Sequence, residues 1–154
     1  PTNTYLSWRD PQRFRSNFVL SSLTGQRAYI RRGADVGAAF PYYGFRIDSG
    51  VLKGVSEDTV GQSTIVLDSA LVADRVYMVE AQYEPQDKIL FYIINNNTQE
   101  KQLKGSLSTN LPKISDSTKA FLEYELSNDS AADKQLSSSF FEYIQRRRVF
   151  GLDT

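Results

Sequence analysis

RVYMVEAQYEPQDKILFYIINNN, residues 75–97, is the stretch that decides the fold. It reads as two strands, Val76–Tyr83 and Lys88–Ile94, joined by the tight polar turn Glu84-Pro85-Gln86-Asp87. Aromatic and β-branched side chains suit a pleated, half-buried surface. The second run ends in a short asparagine loop, Asn95, Asn96 and Asn97.

The same punctuation recurs on both sides. Phe14–Leu20 alternates Phe14, Ser16, Phe18 and Leu20 against Arg13, Arg15, Asn17 and Val19, the period of a strand. Ala28–Arg32 follows a Thr-Gly turn and stops at Gly33. Tyr43, Phe45 and Ile47 share one face of Tyr43–Asp48, and Ser49-Gly50 leads tightly into Val51–Ser56, a hairpin signal. With Ser63–Leu67, Lys119–Ser127 and a closing Ser138–Arg147, the reading gives about nine strands at the spacing of sandwiches and barrels. Ala34–Phe40 has no apolar stripe, and only Asp129–Leu136, capped by Asn128 or Asp129, supports a helical turn. Residues 95–118 are polar and read as loop, with Leu103, Leu107 and Leu111 packing against an edge. No repeat or linker divides the chain. The expectation is one all-β domain over residues 1–154, an antiparallel β-sandwich with very little helix. Residues 1–12 read as an extended N-terminal arm and 146–154 as a C-terminal tail.

Composition narrows the chemistry. There is no Cys and no His, which removes disulfides, thiolate zinc sites, thiol nucleophiles and any triad with a histidine base. Acid–base work would fall to Asp, Glu, Lys or Tyr. No apolar run approaches the roughly 20 residues of a membrane span, so no membrane insertion is expected. No charged n-region with an apolar stretch opens the sequence, so no signal peptide is expected.

The formal net charge is zero, yet residues 1–50 carry seven Arg against three Asp, and residues 51–145 carry eight basic against fourteen acidic residues. A basic N-terminal third is one mark of nucleic-acid binding. Here the arginines are spread through strands with no glycine–aromatic RNA signature beside them. Pairing of basic outer strands against an acidic middle, within one molecule or between subunits, is the simpler reading, and nucleic acid is not favoured.

Around residues 75–97 the sequence resembles the concanavalin-like jelly rolls: laminin-G modules, legume lectins and laminarinase-type glycoside hydrolases. The resemblance is carried by Tyr77-Met78-Val79-Glu80, the Pro85/Asp87 turn, and Ile89-Leu90-Phe91-Tyr92-Ile93. Tyr43-Gly44-Phe45-Arg46-Ile47 looks like the upstream strand of such a module. Thr109-Asn110-Leu111-Pro112 resembles the loop before its later strands, and Phe140–Ile144 its final one. The likeness spans about two thirds of the chain and rests on hydrophobic patterns, which speak for fold more than for function.

The resemblance can be tested against the enzymes of that fold. They resemble one another in a Glu-x-Asp-x-Glu strand, and a retaining mechanism holds two carboxyl groups about 5–5.5 Å apart. Glu80-Ala81-Gln82-Tyr83-Glu84 has Gln82 in the central place, sits later in the chain than the enzymes' strand, and ends in a turn. Glu123-Tyr124-Glu125 puts two carboxylates on one strand face, at roughly 6.6 Å, and reads more simply as a solvated face. No catalytic residue is assigned, and the chain is expected not to be an enzyme. Some relatives hold calcium, and Asp48, Asp68, Asn95–Asn97, Asn128, Asp129 and Asp133 are the oxygen donors available. None forms a calcium-loop motif, and turn residues bonding their own backbone explain them better. No cofactor or metal is expected.

The remaining candidates divide between two roles. Trp8, Arg9, Arg13 and Arg15, with Arg146, Arg147 and Arg148, are candidate assembly contacts. Trp8 has two readings, an exposed partner anchor or a buried ring closing the sandwich edge. Tyr42, Tyr92 and Tyr124 with Asn95, Asn96 and Asn97 are candidate glycan contacts, although strand tyrosines commonly fill a core. Asn96-Asn97-Thr98 and Asn128-Asp129-Ser130 match glycosylation acceptors, a pattern common by chance. The expectation is a non-catalytic structural or attachment module, of the decoration or fibre kind found on virions or extracellular surfaces. It would act through protein–protein contacts, other subunits being its partners in a homo-oligomer. A lectin-like glycan-binding module is the alternative, and a glycoside hydrolase a distant third. Replacing Arg146, Arg147 and Arg148 with serine is expected to weaken oligomers.

Overall fold

Ten strands follow one another in the computed structural model, which describes residues 8–23, 26–33, 41–113, 121–128 and 136–144. They are β1 (Gln12–Leu20), β2 (Gln26–Gly33), β3 (Tyr42–Asp48), β4 (Val51–Glu57), β5 (Gln62–Asp68), β6 (Tyr77–Glu84), β7 (Lys88–Ile94), β8 (Lys101–Leu107), β9 (Phe121–Asn128) and β10 (Leu136–Ile144). Two antiparallel five-stranded sheets result, ordered β10-β1-β6-β7-β8 and β5-β4-β3-β2-β9. There is no helix among the described residues, and hence none long and apolar enough to cross a membrane.

The local rules that set the strands are visible in their turns. Asp48 pairs with Val51, leaving Ser49 and Gly50 as a two-residue loop with φ of 46° and 86°. Both central residues of a type I′ turn need positive φ, which glycine adopts freely. Between β6 and β7, Pro85 sits at the second position of a β-turn and Gln86 (φ 56°) at the third, closed by Asp87 N–H donating to the Glu84 carbonyl at 3.1 Å. Proline fixes the φ that this turn requires there.

The core lies between the sheets. Along β1 the residues Gln12, Phe14, Ser16, Phe18 and Leu20 are buried, and those between them only half-buried. Phe14 and Phe45 from facing sheets meet edge to face at 6.0 Å, and Phe45 meets Phe91 in the same way at 5.6 Å. Such aromatic pairs add to the stabilisation from area burial alone. At one end, Trp8 packs edge-on against Tyr43 and Tyr83. The buried Tyr83 hydroxyl is placed to donate to the carbonyl oxygens of Pro112 (2.6 Å) and Trp8 (3.0 Å).

The structure departs from the sequence reading in two places. Residues 101–107, read as loop, are β8, paired along β7 with a bulge beside Phe91 and Tyr92. As an edge strand β8 is mostly exposed, and Leu103 is 53% exposed, so it carries none of the alternation that marks a half-buried strand. Trp8 is 1% exposed. Trp8, within the expected arm, is therefore packed into the end of the sandwich. Residues 1–7, the helical turn expected over 129–135 and the tail 146–154 lie outside the described residues.

Candidate functional site

Alternation sends every second side chain of each sheet outward, and the two outer faces hold cation–aromatic stacks and ion-paired carboxylates. On the sheet built by β2 to β5, Tyr29, Arg31 and Tyr42 form a stack. The Arg31 guanidinium lies 4.3 Å from the Tyr29 ring centre and 4.6 Å from that of Tyr42, within cation–π range. The Tyr42 hydroxyl accepts a hydrogen bond from Gln62 (2.8 Å), which also donates to Glu57 and accepts from Arg46 at 2.9 Å each. Burial, followed by the nearby Glu57 charge, pushes the Tyr42 hydroxyl pKa well above its ordinary value. It therefore stays protonated at every ordinary pH. Further along this face Asp48 accepts from Arg27 (2.7 Å), Arg46 (2.9 Å) and Lys53 (3.1 Å). Burial alone would raise its pKa, but the hydrogen bonds from Arg27 and Lys53 and the Arg46 charge leave it lowered.

The other outer face is centred on Glu80. Register places Arg15 of β1 on one side of it and Tyr92 of β7 on the other. Arg15 donates to Glu80 Oε1 from Nε (3.2 Å) and from its terminal nitrogen (2.9 Å), and Lys101 Nζ donates to Oε2 at 2.8 Å. Lys101 also lies 4.5 Å above the Tyr92 ring. Glu80 is fully buried. Burial raises a carboxyl pKa, and the two cations override that and hold it below the usual range.

A third carboxylate closes the end of the sandwich. Asp58 Oδ1 accepts from the amides of Val60 and Gly61 (2.9 Å each) and from Asn110 Nδ2 (3.2 Å), while Lys113 stands 3.5 Å from Oδ2. Burial is again outweighed by these donors, and its pKa is lowered. Ser56 and Ser63 bond Asn110 as well, tying the β4–β5 loop to the segment after β8.

These contacts distribute the sequence candidates over the whole molecule. Tyr42 and Tyr92 lie on the outer faces of different sheets, each with a cation over its ring. Tyr124 pairs in register with Ile30, a core residue. Asn95 Oδ1 accepts the amides of Asn97 (2.8 Å) and Thr98 (3.0 Å), and Asn96 Nδ2 donates to the Val76 carbonyl (2.9 Å). The side chains of Asn95 and Asn96 thus hold their own loop in shape, and Asn97 is exposed. Of the assembly candidates, Trp8 is buried in the aromatic cluster and takes the edge-closing role in place of partner anchor. Arg15 is engaged with Glu80, and Arg9 is exposed. Arg146, Arg147 and Arg148 lie outside the described residues. Glu80 and Glu84 stand four strand positions apart, roughly 13 Å at 3.3 Å per residue, and Gln82 between them donates to Glu84 at 2.6 Å. Among the described residues no three acidic side chains gather as a metal site. The sequence reading missed Tyr29, Arg31, Gln62 and Lys101. Tyr29 and Arg31 at alternate positions of one strand were the available signal.

Solved structures place this architecture among known folds. A protein of unknown function from Shewanella oneidensis MR-1 superposes with a TM-score of 0.61 at 15% identity, covering 93% of this chain and 63% of the other. The Bacillus licheniformis β-glucanase gives 0.61 at 13% identity, covering 89% of this chain and 67% of the enzyme. The fold is the jelly-roll β-sandwich. A CBM2 module from the evolved Dit protein of Lactobacillus casei BL23 phage J-1 matches at 0.55 and 12% identity, covering 93% of this chain and 66% of that one. The chain spans about two thirds of the length of each of these three structures. No sequence-family model and no curated protein matches it.

Proposed function

We propose that this jelly roll is a non-catalytic structural or attachment module, of the decoration or fibre kind at a virion or extracellular surface, acting through contacts with other protein subunits. The observation that carries the reading is the state of Glu80. It is the first of the two carboxylates, Glu80 and Glu84, that mimic the catalytic spacing in this hairpin, and it is fully buried with both oxygens held by Arg15 and Lys101. A general acid needs a raised pKa and reach to substrate, and Glu80 has neither. The candidate sugar-stacking rings, Tyr42 and Tyr92, already carry Arg31 and Lys101 on one face. The test is incubation of the purified chain with β-glucans and other polysaccharides, followed by a reducing-sugar assay and a glycan array. No released sugar and no retained glycan is the expected result, and hydrolysis or saturable glycan capture overturns the reading.

The second reading, a lectin-like glycan-binding module, has one observation in its favour. The polar network from Arg31 through Tyr42 to Gln62 crosses four strands with its groups already in place, and carbohydrate-binding modules are among the neighbours of this fold. On that reading, Tyr29→Ala and Gln62→Ala abolish glycan capture on the array without altering the unfolding midpoint.

A further inference from the structure

We propose that β5 is a self-association edge, pairing antiparallel with β5 of a second copy of this chain to join two five-stranded sheets into one of ten. The proposal deepens the reading as a protein-contact module and names the partner and the surface.

Among the described residues β5 is terminal in its sheet and pairs with β4 alone. Among the described residues no other backbone hydrogen bond involves residues 62–68. A free row of N–H and C=O groups is a template for another strand unless the sequence blocks it. The two edges on this side of the molecule are treated differently by the sequence. β8 carries Lys101 and Lys104 and a bulge where Gly105 and Leu103 pair with Phe91 and Tyr92, which are the usual protections. β5 reads Gln62-Ser63-Thr64-Ile65-Val66-Leu67 before its first charge at Asp68, with neither Pro nor Gly. Its pairing with β4 is regular from Gln62 to Val66, and its own irregularity falls at Leu67, next to the strand's end, which leaves the five-residue run before it straight. Residues 62–67 carry no charge, so no antiparallel register within that run opposes like charges.

The surroundings agree. Every large apolar side chain strongly exposed among the described residues belongs to β5 (Val66), to its flanking loops (Val60, Val72, Val76) or to β8 (Leu103). Ile65 and Leu67 instead turn inward over Gly105, where a β-carbon would stand 2.9 Å from Ile65 and 3.2 Å from Leu67. The sandwich is therefore closed beneath β5, and among the described residues nothing covers its edge. A stable interface buries about 1,200–2,000 Å² in total, more than a five-residue edge alone supplies. Val60, Val72 and Val76 of the flanking loops are the exposed apolar surface available to add to it.

Sedimentation equilibrium of the full chain tests this, with T64K/V66K and T64E/V66E as variants. Both positions are exposed, so the far-UV spectrum should match the parent, and the thermal midpoint should match it at dilutions where the parent is one chain, since dimerisation itself raises the parent's midpoint at higher concentration. The parent is expected to move from one chain mass, 17.4 kDa, to twice that value with rising concentration. Each charged variant should remain at one chain mass throughout, and an equimolar mixture of the two should regain the doubled mass. A parent that is monomeric at all concentrations overturns the proposal, as does a ring larger than two, a lysine variant that still dimerises, or a mixture that stays monomeric. A monomeric parent leaves attachment to a different protein standing, whereas polysaccharide hydrolysis or glycan capture defeats the reading itself whatever the mass.

Discussion

Phe91 lies so close above Gly54 that a β-carbon on Gly54 would stand 2.7 Å from two atoms of its ring. The two residues belong to facing sheets, and the glycine sets how deeply the Phe45–Phe91 pair can sit. Overpacking a filled core costs roughly 1–3 kcal/mol. Gly54→Ala should therefore lower stability by about 2 kcal/mol, read as a lower urea midpoint with unchanged slope. Adding Phe91→Leu should recover part of the loss, a coupling that a double-mutant cycle measures.

Glu80 is 1% exposed at its side chain, against 25% for Arg15 and 35% for Lys101. Removing one partner of a buried pair leaves a desolvated charge and typically costs about 3–5 kcal/mol. Solvent reaches both cations, so Arg15→Ala should sit at the low end, near 3 kcal/mol, and Lys101→Ala below it. Chemical denaturation checks the order. Equal costs for the two variants would contradict the bidentate role of Arg15.

The same carboxylates set the acid limb of stability. Asp48, Asp58 and Glu80 are all held below their ordinary pKa in the folded chain. A depressed folded pKa means that the unfolded chain takes up its proton first as pH falls. The stabilisation is thus complete above the unfolded values, near pH 4, and is lost as pH drops through the lower folded ones. Urea melts between neutrality and pH 2.5 should show a plateau and then a decline below about pH 4. Glu80→Gln and Asp48→Asn should each make that decline shallower.

Tyr83→Phe removes the hydroxyl that faces Pro112 and Trp8 while keeping the ring. The two buried carbonyls that share its one hydrogen then lose that donor, at a cost of about 1–3 kcal/mol. The sole tryptophan is Trp8, packed on that ring, so its emission reports the change directly. The parent should emit as a buried indole and shift to longer wavelength on unfolding. The variant should unfold at a lower midpoint with the same starting spectrum.

The fold was legible where burial is one-sided and strong. Alternation in β1, the hairpin of β6 and β7, and the Ser49-Gly50 turn each carry the signal in consecutive residues. β8 was not legible, because an edge strand with a mostly exposed polar run lacks that alternation. The outer faces were only half legible. Glu80 was singled out by spacing, but the cations that hold it come from strands 65 residues earlier and 21 later. Only register brings them together. Trp8 lacked a strand period to fix its direction, and the structure turns it inward.

The place of β1 has a consequence for how the chain is made. Its two neighbours are β6 and β10, and β2 likewise waits for β9. Neither sheet can be completed until β9 or β10, residues 121–144, has left the ribosome, and loop-closure entropy over such separations slows acquisition of the native state. During translation the earliest strands stand with bare backbone on one side, the species most prone to aggregate. Low expression temperature, or a chaperone that shields residues 12–33, should raise the yield of native protein more than any change to the finished surface.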